Sequence, residues 1–258
     1  MVTIDLAGRT ALVVGGSRGI GASIVEHFCR AGAWTVFTHT GNPGSAGALE
    51  SLLETVRREG GAARGAAADA RDGPVMRALA DGIVAERGRI DTLVCNAGMN
   101  TARAADTETD EQWEQSIALN LGTAWYSVRA VLPHMLSAGY GRIILIGSSA
   151  VYDGGGGAID YAAAKAGMTG MMQYLCRTYA RRGILANIVH PCVIETDLLK
   201  KRYADEEARR KLIAQIPPGR LGKPEDIAGL TAFLASPWGD YICGQEILAD
   251  GGRTVFGK

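Results

Sequence analysis

The 258-residue sequence has no excess of charge of either sign: 27 lysines and arginines stand against 27 aspartates and glutamates. That balance leaves no basic footprint to hold nucleic acid or an acidic membrane surface, so neither is an expected partner. No run approaches the ~18 apolar residues of a membrane span, and the first residues carry Asp5 where a leader would have a basic stretch followed by an apolar core. The expectation is an unprocessed, cytoplasmic protein. Cysteines number five (Cys29, Cys95, Cys176, Cys192, Cys243), odd and scattered, with no Cys-x-x-Cys. This excludes a disulfide framework and a structural zinc site, and no metal is expected. Repeats, low-complexity tracts and linker-like runs are also missing, so the chain reads as one domain. Glycine is abundant: 35 residues is about twice the usual share. Several places must need close backbone approach or positive φ.

What is present is an alternation. Short apolar runs rich in β-branched residues occur at Thr10–Val14, Thr35–Thr38, Ala62–Ala67, Thr92–Cys95, Arg142–Ile146, Leu185–Val189 and Glu246–Leu248. Runs of this kind suit strands buried on both faces. Between them, helical spacing appears at about Gly19–Ala31, Ser45–Glu59, Pro74–Glu86, Asp110–Leu136, Ile159–Arg182 and Pro224–Leu234. The pattern predicts an α/β fold: a doubly wound parallel sheet of about seven strands with helices on both faces. Its ligand crevice lies beyond the carboxyl ends of the strands, so function is expected in the loops that follow them.

The first of those loops, Gly15-Gly16-Ser17-Arg18-Gly19-Ile20-Gly21, follows a strand and opens a helix. Backbone amides at such a helix start receive a pyrophosphate, although a tight strand-to-helix turn would have the same composition. A site for NAD would place an acid some 20 residues on, at the adenosine ribose. No acidic residue occurs between Glu26 and Glu50. A 2′-phosphate would meet no repulsion there, and Arg18, Thr38, His39 and Thr40 are placed to contact it. NADP(H) is therefore expected over NAD(H), with Arg18 alternatively a solvated charge.

Tyr161 and Lys165 stand four apart at the start of a predicted helix, hence on one face. Thirteen residues before the tyrosine comes Ser148, at the end of a strand; Asn96-Ala97-Gly98 follows another strand, and Asn120 sits within the long Asp110–Leu136 helix. Together these residues resemble the short-chain dehydrogenase/reductase family in its compact form. The resemblance extends over the chain through Asp69, Asn187-Ile188-Val189-His190-Pro191, Thr196, Arg220 to Asp226, Gly244-Gln245 and Asp250-Gly251-Gly252. It implies a single Rossmann-type domain over residues 1–258 with a substrate lid at about 197–216. It further implies Ser148, Tyr161 and Lys165 as the catalytic set with Asn120 completing a proton relay. Asp69 and Ala70 are implied at the adenine, Asn96 to Gly98 along the ribose, and Pro191, Ile194 and Thr196 near the nicotinamide.

The chemistry explains the residue types. Hydride transfer to a ketone builds negative charge on the carbonyl oxygen, which must be held and protonated together. Tyr161 is the expected acid, its pKa lowered by the Lys165 ammonium; Ser148 orients the carbonyl. Three departures from the family pattern stand out. Val14 replaces a threonine before the glycine loop, removing a hydroxyl that would tie the loop down. Cys192 replaces a glycine after Pro191, as a thiol bordering the substrate or an inert buried one. Gly154-Gly155-Gly156-Gly157 precedes Tyr161 as a flexible rim or a wide turn.

The substrate is expected to be a small carbonyl compound or alcohol. Similarity is greatest to 3-oxoacyl-thioester reductases and sugar-alcohol dehydrogenases. Carrier-protein reductases of the family show a basic cluster before the fifth strand, where this chain has Ser137-Ala138-Gly139-Tyr140, although Arg181 and Arg182 remain as docking charges. A ketone, polyol or sugar derivative is the alternative. The segment from Asp197 to Gln215 reads as an amphipathic helix pair carrying Lys200, Lys201 and Arg202, a solvated face or a substrate contact. A non-catalytic NADP(H)-binding regulator would show a broken Ser-Tyr-Lys set, which this chain does not. Finally, Met168, Met171, Met172, Tyr174 and Leu175 surround much of the Ile159–Arg182 helix, more than one sheet face covers. A homo-oligomer is expected, and the family resemblance implies a dimer of dimers built by pairing the two long helices.

Overall fold

The computed structural model describes residues 3–42, 46–196, 199 and 205–256. Seven parallel strands form one sheet in the order β3-β2-β1-β4-β5-β6-β7. They are β1 Thr10–Val14, β2 Trp34–His39, β3 Ala62–Ala67, β4 Thr92–Cys95, β5 Gly141–Ile146, β6 Ile184–Pro191 and β7 Glu246–Ala249. The expected α/β, doubly wound parallel sheet is therefore the observed one, with strand ends within two residues of expectation.

Alternation along β1 builds the two halves of the core. Leu12 and Val14 face a cluster with Met76, Ile83, Val128, Val131, Met135 and Met168. Ala11 and Val13 face the other side, with Ile24, Val25, Phe28, Leu52, Val56 and Ile227. Each fully buried side chain of this size stabilises the fold by about 1.5–3 kcal/mol. Helices α3 (Gly73–Arg87), α5 (Thr123–Ala138) and α7 (Ile159–Tyr179) cover the first face, and α1 (Gly19–Arg30), α2 (Ala46–Arg58) and α9 (Pro224–Ala235) the second. Local chemistry fixes several ends. Asp72 caps α3 by accepting from Val75 N, and Gly88 closes it at φ 78°.

Two helices differ from expectation. The predicted Asp110–Leu136 helix is split into α4 (Asp110–Ile117), a π turn at Ala118–Gly122 and α5, so Asn120 sits on the π turn and not in regular helix. Its extra residue per turn has no signature in the apolar spacing. The Ile159–Arg182 helix ends at Tyr179 and passes into a 3₁₀ turn at Ala180–Arg182. The apolar residues named on α7 are also placed differently. Met168, Met172 and Leu175 lie in the chain's own core with Met171 packed against it, leaving Tyr174 as the one of the five that is well exposed. Of the expected lid, Asp197, Lys200, Lys201 and Arg202 lie outside the described residues; its later part is helix α8, Glu206–Ala214.

No described helix is long and apolar enough to cross a membrane. Among the described residues, no cluster of His, Cys, Asp and Glu is arranged to hold a metal.

Candidate active site

In this strand order the chain runs outward from the centre in two directions, and β1 and β4 lie where it turns. Val14 pairs with Cys95, so the loops beginning at Gly15 and Asn96 leave the sheet side by side. They touch at backbone distance: a Cβ on Gly15 would lie 2.8 Å from Ala97 Cα, and one on Gly21 would lie 2.1 Å from Gly15 O. Only glycine fits at both positions. Asn96 fastens the two loops, its Nδ2 donating to Gly15 O at 2.7 Å.

Thr38 fastens the glycine loop from the other flank. Gly15 N donates to Thr38 Oγ1 at 2.9 Å and Gly16 N to Thr38 O at 3.1 Å. The hydroxyl missing at Val14 is thus supplied from β2. Thr38 is itself buried, and its oxygens hold the loop from behind. Arg18, His39 and Thr40 remain on the accessible side, with His39 Nδ1 accepting from Gly41 N at 3.2 Å.

The start of α1 fits a pyrophosphate. Arg18 at the N-cap is extended and gives no side-chain cap, no acid occupies the first turn, and Ser17, Gly19 and Ile20 surround the open amides. Uncapped amides at a helix start need an acceptor from outside. Thr196 borders this loop, because a Cβ on Gly19 would lie 3.3 Å from its Cγ2. Ile194 is held beside it through a parallel bridge to Gly222, and Pro191 ends β6 with its carbonyl accepting from Ser149 N at 3.0 Å. At the far end Asp69 is engaged by Arg71, whose Nη2 lies 2.6 Å from Oδ2, holding the carboxyl below its usual range. Ala70 next to it is buried.

The side chains expected to react converge beyond β4 and β5. Asn120 is fully buried; its Oδ1 accepts from Met99 N at 2.9 Å and its Nδ2 donates to Met99 O at 2.9 Å. Gly98 permits this approach, since a Cβ there would lie 2.7 Å from Asn120 Oδ1 and 3.3 Å from Lys165 Nζ. Lys165 is buried and donates to Ile146 O at 2.8 Å. Its Nζ lies 5.7 Å from the Tyr161 ring centroid, within cation–π range. The Ser148 side chain acts on the Tyr161 phenol, favouring its ionised form against burial. Asn120 from the π turn, Ser148 after β5, and Tyr161 and Lys165 from α7 are thereby brought to one place.

Its electrostatics differ from expectation. Burial pushes the Tyr161 phenol above its ordinary value, with the Ser148 side chain opposing, and the expected lowering by Lys165 is absent. Burial acts on the lysine too, bringing it down to about 8. Desolvation of both groups outweighs their attraction at this separation.

The glycine run forms a turn tied at two points. Gly154, Gly156 and Gly157 have φ of 64°, 86° and 68°, and the turn is tied by Asn100 Nδ2 to Gly156 O at 3.0 Å and Arg103 N to Gly157 O at 2.8 Å. A Cβ on Gly156 would lie 3.6 Å from Tyr161 Cδ1, so the turn lies against the tyrosine. Outside it lies a shallow, open cleft of about 680 Å³ lined by Ala102, Ala104, Ala105, Ala158, Ile159 and Ala162. Arg103, also on the wall, is paired with Asp160 at 3.1 Å and Glu108 at 3.2 Å. Cys192 Sγ lies 3.4 Å from Arg253 Nη1, and no described non-glycine residue has positive φ.

A glycine loop at the turning point of a doubly wound sheet, beside a Ser-Tyr-Lys cluster, defines a Rossmann-type oxidoreductase. A family model described as enoyl-(acyl carrier protein) reductase matches residues 14–254. The 3-oxoacyl-[acyl-carrier-protein] reductase FabG of Escherichia coli is 37% identical over 252 residues, 98% of this chain and 100% of that protein. The L-rhamnose 1-dehydrogenase (NAD(P)(+)) of Azotobacter vinelandii is 36% identical over 257 residues, 99% of each. A 3-oxoacyl (acyl-carrier-protein) reductase of Agrobacterium tumefaciens, solved with NADP bound, superposes with a TM-score of 0.89 at 31% identity, covering 96% of this chain and 95% of that one. The chain belongs to the short-chain dehydrogenase/reductase family, and is an oxidoreductase acting on CH–OH or C=O groups.

Proposed function

We propose that the protein is an NADP(H)-preferring carbonyl reductase whose substrates carry an apolar chain beside the ketone, as a 3-oxoacyl thioester does. The observation that carries the substrate class is the alanine-walled cleft against the Gly154–Gly157 turn, whose one cation is already paired with two carboxylates. Apolar walls suit an alkyl chain and leave sugar hydroxyls without partners. One feature favours a polyol instead: Asn100 Oδ1 is buried and has no hydrogen-bond partner. A substrate hydroxyl would satisfy it.

NADPH, when bound, supplies the hydride. Tyr161 delivers the proton to the carbonyl oxygen while the Ser148 hydroxyl donates to the same atom and fixes its direction. Lys165 serves the ribose, with its ammonium 5.7 Å from the Tyr161 ring centroid. Asn120 holds the Met99 backbone at the entry of the relay. Gly15, Ser17, Arg18, Gly19, Ile20 and Gly21 take the phosphates, Asn96, Ala97 and Gly98 the ribose, Asp69 and Ala70 the adenine, and Pro191, Ile194 and Thr196 the nicotinamide. The segment at about 197–216 acts as the lid, with α8 tied to the site by the Arg209–Glu195 pair. A second copy covers the exposed Trp113, Trp125 and Tyr174 of α4, α5 and α7. The protein works in the cytoplasm.

NADPH oxidation measured over acetoacetyl-CoA, simple ketones and aldonate or sugar substrates separates the substrate readings; thioester turnover at least tenfold above the sugars is expected, and the reverse order rejects the assignment. For the cofactor, Arg18→Ala weakens NADPH about tenfold and NADH less than twofold, as removal of one phosphate contact does. Fluorescence titration reads both, and a wild type that binds NADH as well as NADPH contradicts the preference.

A further inference from the structure

Behind Ser148 lies a second buried polar cluster that the hydride-transfer chemistry does not use. His190 on β6 is fully buried, and a Cβ on Gly147 would lie only 2.4 Å from its Nδ1. That nitrogen is within reach of both main-chain groups of Ser148, 3.1 Å from the amide N and 3.0 Å from the carbonyl O. On the other side of the ring, Nε2 lies 3.1 Å from Glu246 Oε2. The same carboxylate oxygen accepts from Tyr152 Oη at 3.1 Å and Thr169 Oγ1 at 3.0 Å. Both hydroxyls donate to this oxygen, so it faces the ring as an acceptor and fixes the proton of a neutral His190 on Nε2. Nδ1 then carries a lone pair and accepts from Ser148 N–H.

A second proton would go to Nδ1. The nitrogen would then repel the Ser148 amide and turn to the carbonyl, so one protonation exchanges the acceptor for a donor at the backbone of the serine. The titratable groups facing the ring are Glu246 from β7, Tyr152 from α6 (Ala150–Asp153), whose ring meets it edge-on at 5.3 Å, and Lys165 from α7. Burial, helped by Lys165, outweighs Glu246 and keeps His190 below its ordinary value, so the ring is neutral at pH 7.

We propose that His190, oriented by Glu246, is a positioning residue for Ser148: the neutral ring holds the serine through Nδ1, and protonation of that nitrogen moves the hydroxyl out of line with the substrate carbonyl. The proposal rests on the assignment of Ser148 to the reacting set. His190→Asn keeps an acceptor where Nδ1 stands but does not titrate; His190→Ala removes it.

In the ligand-free protein, NMR of the ring nitrogens is expected to give the Nε2–H tautomer at pH 8. The Ser148 amide resonance should titrate with a midpoint below ~6.5 in the wild type and stay flat in His190→Asn. With NADPH and acetoacetyl-CoA, wild-type kcat should fall at acid pH with that same midpoint while the KM for NADPH holds. His190→Asn should keep kcat within about threefold at pH 7.5 and lose that acid limb, and His190→Ala should lose about tenfold or more in kcat. Glu246→Gln, which withdraws the charge favouring the imidazolium, moves the limb to lower pH and serves as the second variant where His190→Asn does not fold. An Nδ1–H tautomer, a Ser148 amide indifferent to His190, or an unchanged acid limb in His190→Asn overturns the proposal. If the wild type reduces no carbonyl compound, the assignment of the reaction fails while the amide titration still decides the role of His190.

Discussion

Two buried charges, Asp91 at the amino end of the sheet and Lys165 at the carboxyl end, are held in opposite ways. At the amino end, Asp91 is buried at the start of β4 and fully answered: Thr10 N donates to it at 2.9 Å, Arg9 at 3.0 Å, and Arg89 pairs with the same carboxylate. Tyr140 stacks beneath Arg9 at 4.3 Å and Arg142 at 4.1 Å, and Arg142 closes the group on Asp240 at 2.6 Å. At the carboxyl end, Lys165 is equally buried but has a carbonyl in place of a counter-ion, and the α1 amides have no cap. Charge answered on all sides stabilises a fold. Charge held without a counter-ion destabilises it and is kept where a ligand completes the set.

Paired substitutions sharpen that contrast. Lys165→Met should lower kcat about a thousandfold or more, since it removes the ammonium from the proton path. It should also raise stability. Lys165 falls from ~10.4 unfolded to about 8 folded, so the charged folded form carries a penalty of ~3 kcal/mol at pH 7 that disappears as pH rises from about 8 to ~10.4. Less the lost bond to Ile146 O, Lys165→Met gains about 1–3 kcal/mol at pH 7, and the rise in stability above pH 8 flattens. Urea melts at pH 7 and pH 9.5 check both.

Asp91→Asn should do the reverse, losing about 2 kcal/mol by the same melts while kcat and KM stay at wild-type values. A loss of turnover in this variant would break the division between the two ends. The smallest effect belongs to Thr38→Val. Losing the Oγ1 that holds Gly15 N costs about 1 kcal/mol and weakens NADPH and NADH by the same few-fold factor, because the tie shapes the loop and meets neither cofactor's distinguishing group. A selective loss of NADPH would place Thr38 at the phosphate.

How legible the molecule was from its sequence follows the same physics. The run Thr10-Ala11-Leu12-Val13-Val14 reads directly as a strand because burial on both faces is a local property of composition. Glycines 15, 19 and 21 and the Tyr161–Lys165 spacing are equally local. The Thr38 tie joins residues 23 apart, and the His190–Glu246 bond residues 56 apart, and neither partner carries a pattern that names the other. His190 was visible only as one letter of the stretch Asn187 to Pro191. The π turn was hidden because Ala118-Leu119-Asn120-Leu121-Gly122 has ordinary helical composition. On α7, apolar spacing could not tell that Met168 and Met172 are covered by the chain itself. The phenol's pKa depended on burial, which no spacing reveals.

The claim that the carboxyl end of the sheet is a hydride-transfer site with Tyr161 as its acid is tested most directly by Tyr161→Phe, which removes one oxygen and leaves the fold and the loop at Gly15 in place. NADPH affinity by fluorescence titration and single-turnover NADPH oxidation with the best carbonyl substrate are read on the same preparation. The account predicts binding within about twofold of wild type and a rate reduced at least ~10³-fold. Unimpaired oxidation by the variant would contradict it.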